Sequence, residues 1–323
     1  MNDACPREEG PAGSDGMCNA LTVDVEDYFM VSAFANGIRF EDWPCYECRV
    51  ERNTRRILDL LAQQQVKATF FVLGWVGEHY PSLVREIHAA GHEIACHGYN
   101  HRLIYDLTHD EFRTDVRTAK AVLEDITGSP VLGYRATSYS IVKETFWALD
   151  ILIEEGYCYD SSIFPIHHDR YGVPGAERFS HRIRTGNGTI MEIPPTTFSL
   201  LGQNVPVAGG GYFRLYPLGL TKAMVRRINE KEQKSAIFYV HPWEIDVDQP
   251  RMRGGPLSRF RHYVNLHTTE PKLMDCMKEF KFKPLLDLFK VPAPSGMSVE
   301  TAASAGQRTW IGAGARKAPV AAA

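Results

Sequence analysis

Residues 93–101 have the sequence EIACHGYNH, a short apolar run that ends in two histidines four positions apart. The run at 93–96 is typical of a buried strand. Imidazole is a common metal ligand near neutral pH, because it is largely uncharged there and offers a lone pair. A turn at Gly98 would let His97 and His101 bind one metal ion. The alternative is a polar strand end with two unrelated histidines.

A second polar cluster ends another apolar run, at residues 22–27 with the sequence TVDVED. Its three carboxylates, Asp24, Glu26 and Asp27, fall within four positions. Carboxylates this close repel one another unless a cation or a proton intervenes. The two strand ends together therefore indicate a metal site more strongly than either does alone.

Strand-like and helix-like segments alternate through the middle of the chain. The predicted strands are 20–23, 67–74, 93–96, 131–134, 157–159 and 236–240, with a hairpin at 181–193 that turns at Asn187 and Gly188. The predicted helices are 53–65 with Asn53 as its cap, 81–90, 108–126, 143–155, 217–232 and 271–280. This alternation predicts an α/β fold of parallel strands joined by crossover helices.

The candidate polar residues share one position relative to these strands. Each falls just after a strand or at its end: Asp24, His97, Arg135, Asp160 and His241. In a β/α barrel the carboxyl ends of the strands meet at one rim, where such folds carry their chemistry. This geometry would bring together residues more than two hundred positions apart.

Composition excludes several classes of function. The chain has 323 residues, 44% hydrophobic and 23% charged, and its formal net charge of −3 gives no sign of a nucleic-acid partner. No apolar run is long enough to span a bilayer, and the N-terminus lacks a basic segment followed by an apolar one. The seven cysteines are an odd count that favours free thiols. We therefore expect a cytoplasmic protein without a transmembrane segment.

The chain is predicted to have four segments, of which composition sets apart only the two tails. Residues 1–18 are rich in Gly, Pro, Ser and acidic residues, and residues 293–323 in Ala, Gly, Ser and Pro, so both are predicted to be disordered tails. Residues 19–250 are predicted to form the barrel. Residues 251–292 are predicted to form a small C-terminal extension packed on it.

The order of these motifs resembles that of polysaccharide deacetylases of the NodB-homology type, carbohydrate esterase family 4, over roughly residues 20–245. The five family motifs are matched, some loosely, at 22–27, 97–101, 135–139, 159–162 and 239–241. The third motif lacks the family's proline. The resemblance implies a distorted barrel of about seven parallel strands and metal-dependent removal of N-acetyl groups.

Three further strings are similar to deacetylases from bacterial exopolysaccharide loci linked to exosortase systems. They are DVEDYF at 24–29, GGGYFR at 209–214 and HPWE at 241–244, and the segment from 260 onward resembles the C-terminal extension of that subgroup. The resemblance implies a hydrolase of exopolysaccharide biosynthesis. Its substrate would be an N-acetylated bacterial polysaccharide or a lipid-linked precursor, and the latter would bring the protein to a membrane.

The resemblance also implies a set of metal ligands. His97, His101 and one carboxylate of the first motif would hold a divalent cation and leave positions for water and substrate. Zn²⁺ suits this set best, and Co²⁺, Ni²⁺, Fe²⁺ and Mn²⁺ also fit. If the strand stays extended past Asp24, Glu26 shares the face of Asp24 and is the predicted ligand. Asp27 would replace it if the chain turned first.

The catalytic roles follow from the same resemblance. Asp24 would act as general base, and His241 would give a proton to the leaving amine. Arg135 would pair with Asp24, and Asp160 would hold the His241 ring in the required tautomer. Three of these residues have a plainer alternative: a strand-end carboxylate for Asp24, a surface ion pair for Arg135 and a structural histidine for His241.

Three aromatic residues are predicted to contact the substrate. The backbone N–H near Tyr139 is a candidate oxyanion donor. Tyr212 and Trp243 would offer flat faces to sugar rings, with core packing as the alternative.

The sequence therefore predicts a metal-dependent N-deacetylase of carbohydrates. A cyclic amide or ureide hydrolase on the same fold is one alternative, and a catalytically silent carbohydrate-binding module is another. Asp24, Arg135 and His241 beside the metal pair argue against the silent module, because a binding protein needs neither a base nor an acid.

Overall fold

A computed structural model describes residues 17–291 of the chain. The predicted tail at 293–323 lies outside the described residues, as does the predicted tail at 1–18 except for Met17 and Cys18. Cys18 already belongs to the first strand, so this strand begins slightly earlier than predicted. The division into a barrel and a C-terminal extension stays a prediction.

Within residues 17–291 the strands form one large sheet and one small hairpin. They are β1 (Cys18–Val25), β2 (Thr69–Val72), β3 (Glu93–Cys96), β4 (Gly133–Tyr134), β5 (Tyr159–Asp160), β6 (His181–Thr185), β7 (Gly188–Glu192), β8 (Thr197–Leu200), β9 (Gln203–Pro206), β10 (Ile237–Val240) and β11 (Lys281–Lys283).

Seven of these strands run parallel in the order β10-β1-β2-β3-β4-β5-β7. Strand β6 is antiparallel to β7, and β11 pairs with the first residues of β1. The barrel closes irregularly between β7 and β10. Beyond β7 the N–H of Val207 donates to the carbonyl of Thr196, and Gly209 forms an isolated β-bridge with Tyr239 in β10. The predicted distorted barrel of about seven parallel strands is confirmed.

Helices connect and cover the strands. They are α1 (Val50–Gln63), α2 (Gly74–His79), α3 (Pro81–Ala89), α4 (His109–Thr127), α5 (Trp147–Glu154), α6 (Gly210–Leu215), α7 (Leu218–Arg227), α8 (Pro256–Tyr263), α9 (Thr269–Glu279) and α10 (Leu285–Phe289). Short 3₁₀ turns lie at Ser32–Gly37, Phe40–Cys45, Ile104–Asp106, Thr137–Tyr139, Lys143–Thr145, Pro242–Ile245 and Leu266–Thr268, and a π turn lies at Ile228–Glu232. No helix among the described residues is both long and apolar enough to cross a bilayer.

Helix α4 begins and ends where the sequence predicts. The Thr108 hydroxyl accepts the N–H of Glu111, and the Glu111 carboxylate accepts the N–H of Thr108 at 2.8 Å. This is the reciprocal capping box that satisfies two unpaired donors at a helix start. Gly128 ends the helix with a φ of 66°, which a residue without a Cβ adopts readily.

Helix α1 begins earlier than predicted. Asn53 was expected to be the cap, but the helix already starts at Val50. The carboxylate of Asp27 accepts the backbone N–H groups of Arg49 and Val50. A side chain from the end of β1 therefore caps this helix from outside, which no local pattern could reveal.

The second half of the barrel contains elements absent from the sequence prediction. These are the hairpin of β8 and β9, the strand β11 and the helices α6, α8 and α10. The predicted hairpin of β6 and β7 is present, but Thr185 pairs with Gly188, so its turn lies one residue earlier. Short elements of this kind give too few turns or alternations to be read from a pattern.

The central strands are buried in the core, and polar side chains lie where these strands end. All residues of β2 and β10 are buried, as expected for parallel strands covered on both faces. The polar side chains that follow β1, β3, β4 and β10 consequently gather at the carboxyl rim of the barrel.

Candidate active site

The acidic turn after β1 and the two histidines after β3 meet in one buried cluster. The ligand atoms of Glu26, His97 and His101 all lie within 4.8 Å of one another. Nε2 of His101 is 2.5 Å from Oε2 of Glu26. Two imidazoles and one carboxylate form a donor set for a divalent metal, so these residues fit the predicted ion.

The His97 ring is oriented by its neighbour in the sheet. Its Nδ1–H donates to the backbone carbonyl of Arg135 at 2.8 Å, which leaves the lone pair of Nε2 free. Burial lowers the pKa of His97 to about 4, so the ring is uncharged at neutral pH. A neutral imidazole held through one nitrogen is the form that binds a metal through the other.

The turn between the two histidines is fixed from α4. Gly98 has a φ of 75°, and a Cβ there would lie 2.9 Å from Oδ2 of Asp115. The N–H of Tyr99 donates to the same carboxylate oxygen at 2.9 Å. The predicted turn at Gly98 is confirmed, and Asp115 is a supporting residue that the sequence did not indicate.

Glu26, and not Asp27, faces the two histidines. The N–H of Glu26 donates to the carbonyl of Asp24 at 3.0 Å, so the chain turns tightly at Val25. Asp27 points away and accepts the N–H of Val50 at 2.8 Å. The placement of Glu26 agrees with the prediction, but the reason given for it was wrong, because the strand does not stay extended.

Arg135 and Asp24 form the predicted ion pair. The Arg135 side chain is fully buried, and its Nη1 donates to Oδ1 of Asp24 at 2.7 Å and to Thr22 Oγ1 at 2.7 Å. Its other nitrogens donate to the carbonyl and the hydroxyl of Ser161. These bonds fix one oxygen of Asp24 and leave Oδ2 facing His241, 3.8 Å from its Nε2.

His241 is oriented by Glu244. Its Nδ1–H donates to Oε1 of Glu244 at 2.5 Å, and Oε2 of Glu244 lies 2.8 Å from Nε of Arg214. Burial alone would lower the pKa of His241, but the hydrogen bond to Glu244 and the charges of Glu26 and Asp24 raise it to about 9. The ring is therefore protonated at neutral pH, with Nε2–H directed toward the cluster.

Asp160 is not the group that orients His241, which corrects the prediction. Its Oδ1 accepts a hydrogen bond from the Ser162 hydroxyl at 2.5 Å, and Asp160 pairs with Glu192 on the neighbouring strand. Burial raises the pKa of both acids, and the charge of Asp160 helps raise that of Glu192 well above its ordinary range. Glu244 takes the predicted place because the turn after His241 folds it back onto Nδ1.

The backbone N–H of Tyr139 is already in use. It donates to the carbonyl of Ala136 at 3.0 Å, so the predicted oxyanion donor is not free. Ser138 and Tyr139 have φ values of 50° and 55°, a conformation that costs about 1–3 kcal/mol for residues with side chains. The Tyr139 ring lines the cavity described below.

Trp243 is part of the inner wall and not an open platform. Its Nε1–H donates to Oε1 of Glu26 at 3.0 Å. The ring is stacked between His241 and His262, with centroids 5.1 Å and 4.1 Å away. The predicted stacking of Trp243 on a sugar is therefore wrong, whereas Tyr212 is partly exposed and lines the cavity.

The polar cluster opens into a cavity of about 290 Å³. The predicted site residues in its wall are Asp24, Glu26, His97, His101, Tyr139, Tyr212, His241 and Trp243. The remaining wall includes aromatic and basic side chains, among them Tyr171, Tyr239, Arg170 and Arg261. A concave pocket with a few convergent polar groups is the usual form of a small-ligand site.

The sequence prediction missed several side chains that hold the catalytic candidates. Glu244 and Arg214 lie in the strings HPWE and GGGYFR, which were singled out only for their resemblance to a subgroup. The resemblance of those strings was the signal in the sequence that could have pointed to both residues, but it gave neither of them a role. Glu192 had no signal at all, since it ends a strand of ordinary composition.

Two family models match successive parts of the chain. Residues 35–152 match the family described as polysaccharide deacetylase, and residues 161–290 match one described as a domain of unknown function. His97, His101 and Arg135 fall in the first match, and His241 and Glu244 fall in the second. The cavity is therefore built from both.

Curated relatives match shorter stretches. The chain is 36% identical over 92 residues to a peptidoglycan-N-acetylglucosamine deacetylase of Bacillus cereus, covering 28% of this chain and 32% of that protein. It is 30% identical over 115 residues to a chitooligosaccharide deacetylase of Bradyrhizobium sp., covering 36% and 48%. The matched stretches thus span about a third to a half of the length of these relatives.

A solved structure covers more of the chain. The crystal structure of a provisionally named polysaccharide deacetylase from Mycobacterium smegmatis matches with a TM-score of 0.50 and 20% identity, over 86% of this chain and 96% of that one. The match shows a shared fold.

Proposed function

Residues 35–152 of this chain match the polysaccharide deacetylase family, and on that ground we propose that the protein is a metal-dependent hydrolase that removes N-acetyl groups from a carbohydrate. One observation carries the proposal. A metal-type cluster, a carboxylate fixed by an arginine and a protonated histidine fixed by a glutamate all face one cavity.

Glu26, His97 and His101 are the residues that would hold the metal. A divalent cation there would supply Lewis-acid chemistry, polarising the acetamide carbonyl and acidifying water. Zn²⁺ is the ion we propose, because it accepts imidazole and carboxylate ligands in an open tetrahedral set.

Asp24 and His241 divide the proton transfers between them. Arg135 holds one oxygen of Asp24, and the other faces the cavity and accepts a proton from the attacking water. His241 is protonated, and its Nε2–H gives a proton to the amide nitrogen as the carbon–nitrogen bond breaks. The products are acetate and the free amine of the sugar.

The substrate we propose is a bacterial exopolysaccharide or its lipid-linked precursor. Support comes from the strings GGGYFR and HPWE, which resemble those of exosortase-linked deacetylases. They supply Trp243 and Glu244, which contact the His241 ring, and Arg214, which contacts Glu244. We propose membership of that subgroup on the same ground.

Release of acetate from N-acetylated oligosaccharides such as chitotetraose tests the proposal. The wild-type protein should release acetate, and Asp24→Asn should lower the rate by about two to four orders of magnitude. Asp59→Asn, an exposed carboxylate on α1, is the matched control and should leave the rate unchanged.

The same assay separates the alternatives. Binding of oligosaccharide without any acetate would indicate a silent carbohydrate-binding module. Consumption of a cyclic ureide such as allantoin without acetate release from sugars would indicate a cyclic amide or ureide hydrolase.

A further inference from the structure

The segment that forms α8 differs in charge from the rest of the protein. Residues 249–269 contain no acidic side chain, although the whole chain has a net charge of −3. The segment carries four exposed arginines, Arg251, Arg253, Arg259 and Arg261. Positive charge concentrated at the edge of the cavity indicates a surface that binds an anionic partner.

Two large apolar side chains stand out on the same helix. Leu257 is 57% exposed and Phe260 is 54% exposed, and both lie at the rim of the cavity. The inner side of α8 is marked by His262, which is buried and stacked on Trp243. At about 100° per residue, Phe260 and Leu257 lie about 160° and 140° around the helix from His262, on its outer side.

The arginines flank this apolar pair. On the same projection Arg259 and Arg261 fall on opposite sides of Leu257 and Phe260. The N–H of Met252 donates to the hydroxyl of Tyr263 at 2.6 Å, which folds the preceding loop against the end of the helix. Arg251 consequently lies over the Tyr263 ring, 4.3 Å from its centroid.

Most of this positive charge is not neutralised within the protein. Arg261 pairs with Asp169 at 3.2 Å. No ion pair joins Arg251, Arg253 or Arg259 to a carboxylate within residues 17–291. Their guanidinium groups are therefore available to bind phosphate groups.

We propose that the α8 face, defined by Arg251, Arg253, Leu257, Arg259, Phe260 and Arg261, docks on an anionic lipid surface. An apolar pair enters the boundary between headgroups and acyl chains while flanking arginines bind lipid phosphates, which is how interfacial helices bind membranes. An anionic polysaccharide would satisfy the arginines but would leave Leu257 and Phe260 in water. Charge and exposed apolar area together favour the lipid.

Docking in this way would turn the cavity mouth toward the membrane. Leu257, Phe260 and Arg261 belong both to the α8 face and to the cavity wall. A saccharide carried on a membrane lipid would then reach Asp24 and His241 without leaving the surface. This consequence rests on the proposed function, whereas the docking itself does not.

The test is sedimentation of the full chain with vesicles, with circular dichroism to confirm folding. The wild-type protein should bind vesicles of equal parts phosphatidylglycerol and phosphatidylcholine, and not pure phosphatidylcholine. Raising the NaCl concentration from 0.1 to 0.5 M should release most of it, because the attraction acts through exposed charges. Arg253→Gln with Arg259→Gln should weaken binding about 30-fold, from the usual contribution of each basic residue near an anionic leaflet.

A second double variant is the matched control. Arg182→Gln with Arg184→Gln removes the same charge from the exposed edge strand β6 and should leave vesicle binding unchanged. Phe260→Ser should also weaken binding to anionic vesicles. Acetate release from soluble chitotetraose is measured in both double variants and should equal that of wild type, since none of these four arginines lines the cavity.

Three outcomes would overturn the proposal. One is equal weakening by both double variants, which would mean that only total charge matters. Another is retention on an alginate column without vesicle binding, which would assign the face to an anionic polysaccharide. The third is a dimer that Phe260→Ser dissociates, without vesicle binding, which would assign the face to a second copy. If the wild-type protein released no acetate, that result would contradict the proposed function and leave the docking result intact.

Discussion

Oε1 of Glu244 lies 2.5 Å from Nδ1 of His241, three residues earlier in the chain. The 3₁₀ turn Pro242–Ile245 folds the carboxylate back onto the ring, so the pair is formed locally at the end of β10. Arg214 contacts the other oxygen of Glu244 at 2.8 Å. A fully buried acid thus sits between two cations, and Nε2 of His241 is left to face Asp24.

Glu244→Gln should shift the pH dependence of deacetylation. Loss of the negative partner lowers the pKa of His241, which Glu244 helps raise to about 9. A proton donor with a lower pKa is deprotonated at lower pH. The alkaline limb of the kcat/KM profile should therefore move to lower pH by at least about one pH unit. Glu144→Gln, an exposed residue, is the control, and superimposable profiles for Glu244→Gln and wild type would refute the assignment.

Glu26→Gln and Asp27→Asn should have opposite effects on metal content and stability. Glu26→Gln should lose the metal and retain the fold, because Glu26 faces His97 and His101. Asp27→Asn should keep the metal but lose about 1–3 kcal/mol of stability, since an amide NH₂ would oppose either the N–H of Tyr28 or the N–H donors at the start of α1. Elemental analysis and urea unfolding give both quantities, and metal loss in Asp27→Asn alone would reverse the ligand assignment.

Glu192→Gln should stabilise the protein increasingly as the pH rises. The pKa of Glu192 is raised well above its ordinary 4.5 by burial and by Asp160, so folding takes up a proton above that pH. The stability that depends on this proton is complete below pH 4.5 and is lost as pH rises toward the folded-state pKa. Glutamine keeps a donor for Asp160 and does not titrate.

Urea unfolding of wild type and Glu192→Gln at pH 5 and pH 8 measures this effect. The difference in unfolding free energy should grow in favour of the variant at pH 8. A difference that is the same at both pH values would show that Glu192 is not protonated in the folded protein.

The positions of the main site residues could be predicted because they depend on the strands. Parallel strands place their carboxyl ends at one rim, so Asp24, His97, Arg135 and His241 meet whatever the details of the loops. The ion pair of Arg135 with Asp24 could be predicted because it requires only that two such strand ends lie near each other.

The partners of those residues depend on turns that the sequence does not encode in a readable pattern. Asp160 ends β5 and Glu244 follows β10, and only the path of the turn after His241 decides which one reaches its Nδ1. The placement of Glu26 similarly depends on a tight turn at Val25. Trp243 looked like a sugar platform because nothing local shows that His262, from α8, covers its other face.

The most direct test of the central claim is acetate release from chitotetraose as Zn²⁺ is titrated into chelated wild-type protein. We predict no release from the metal-free protein and full activity at one Zn²⁺ per chain. His97→Ala with His101→Ala should stay inactive and bind no Zn²⁺ while remaining folded, because two of the three ligands are gone. Undiminished acetate release from the metal-free protein, or from that double variant, would contradict the account.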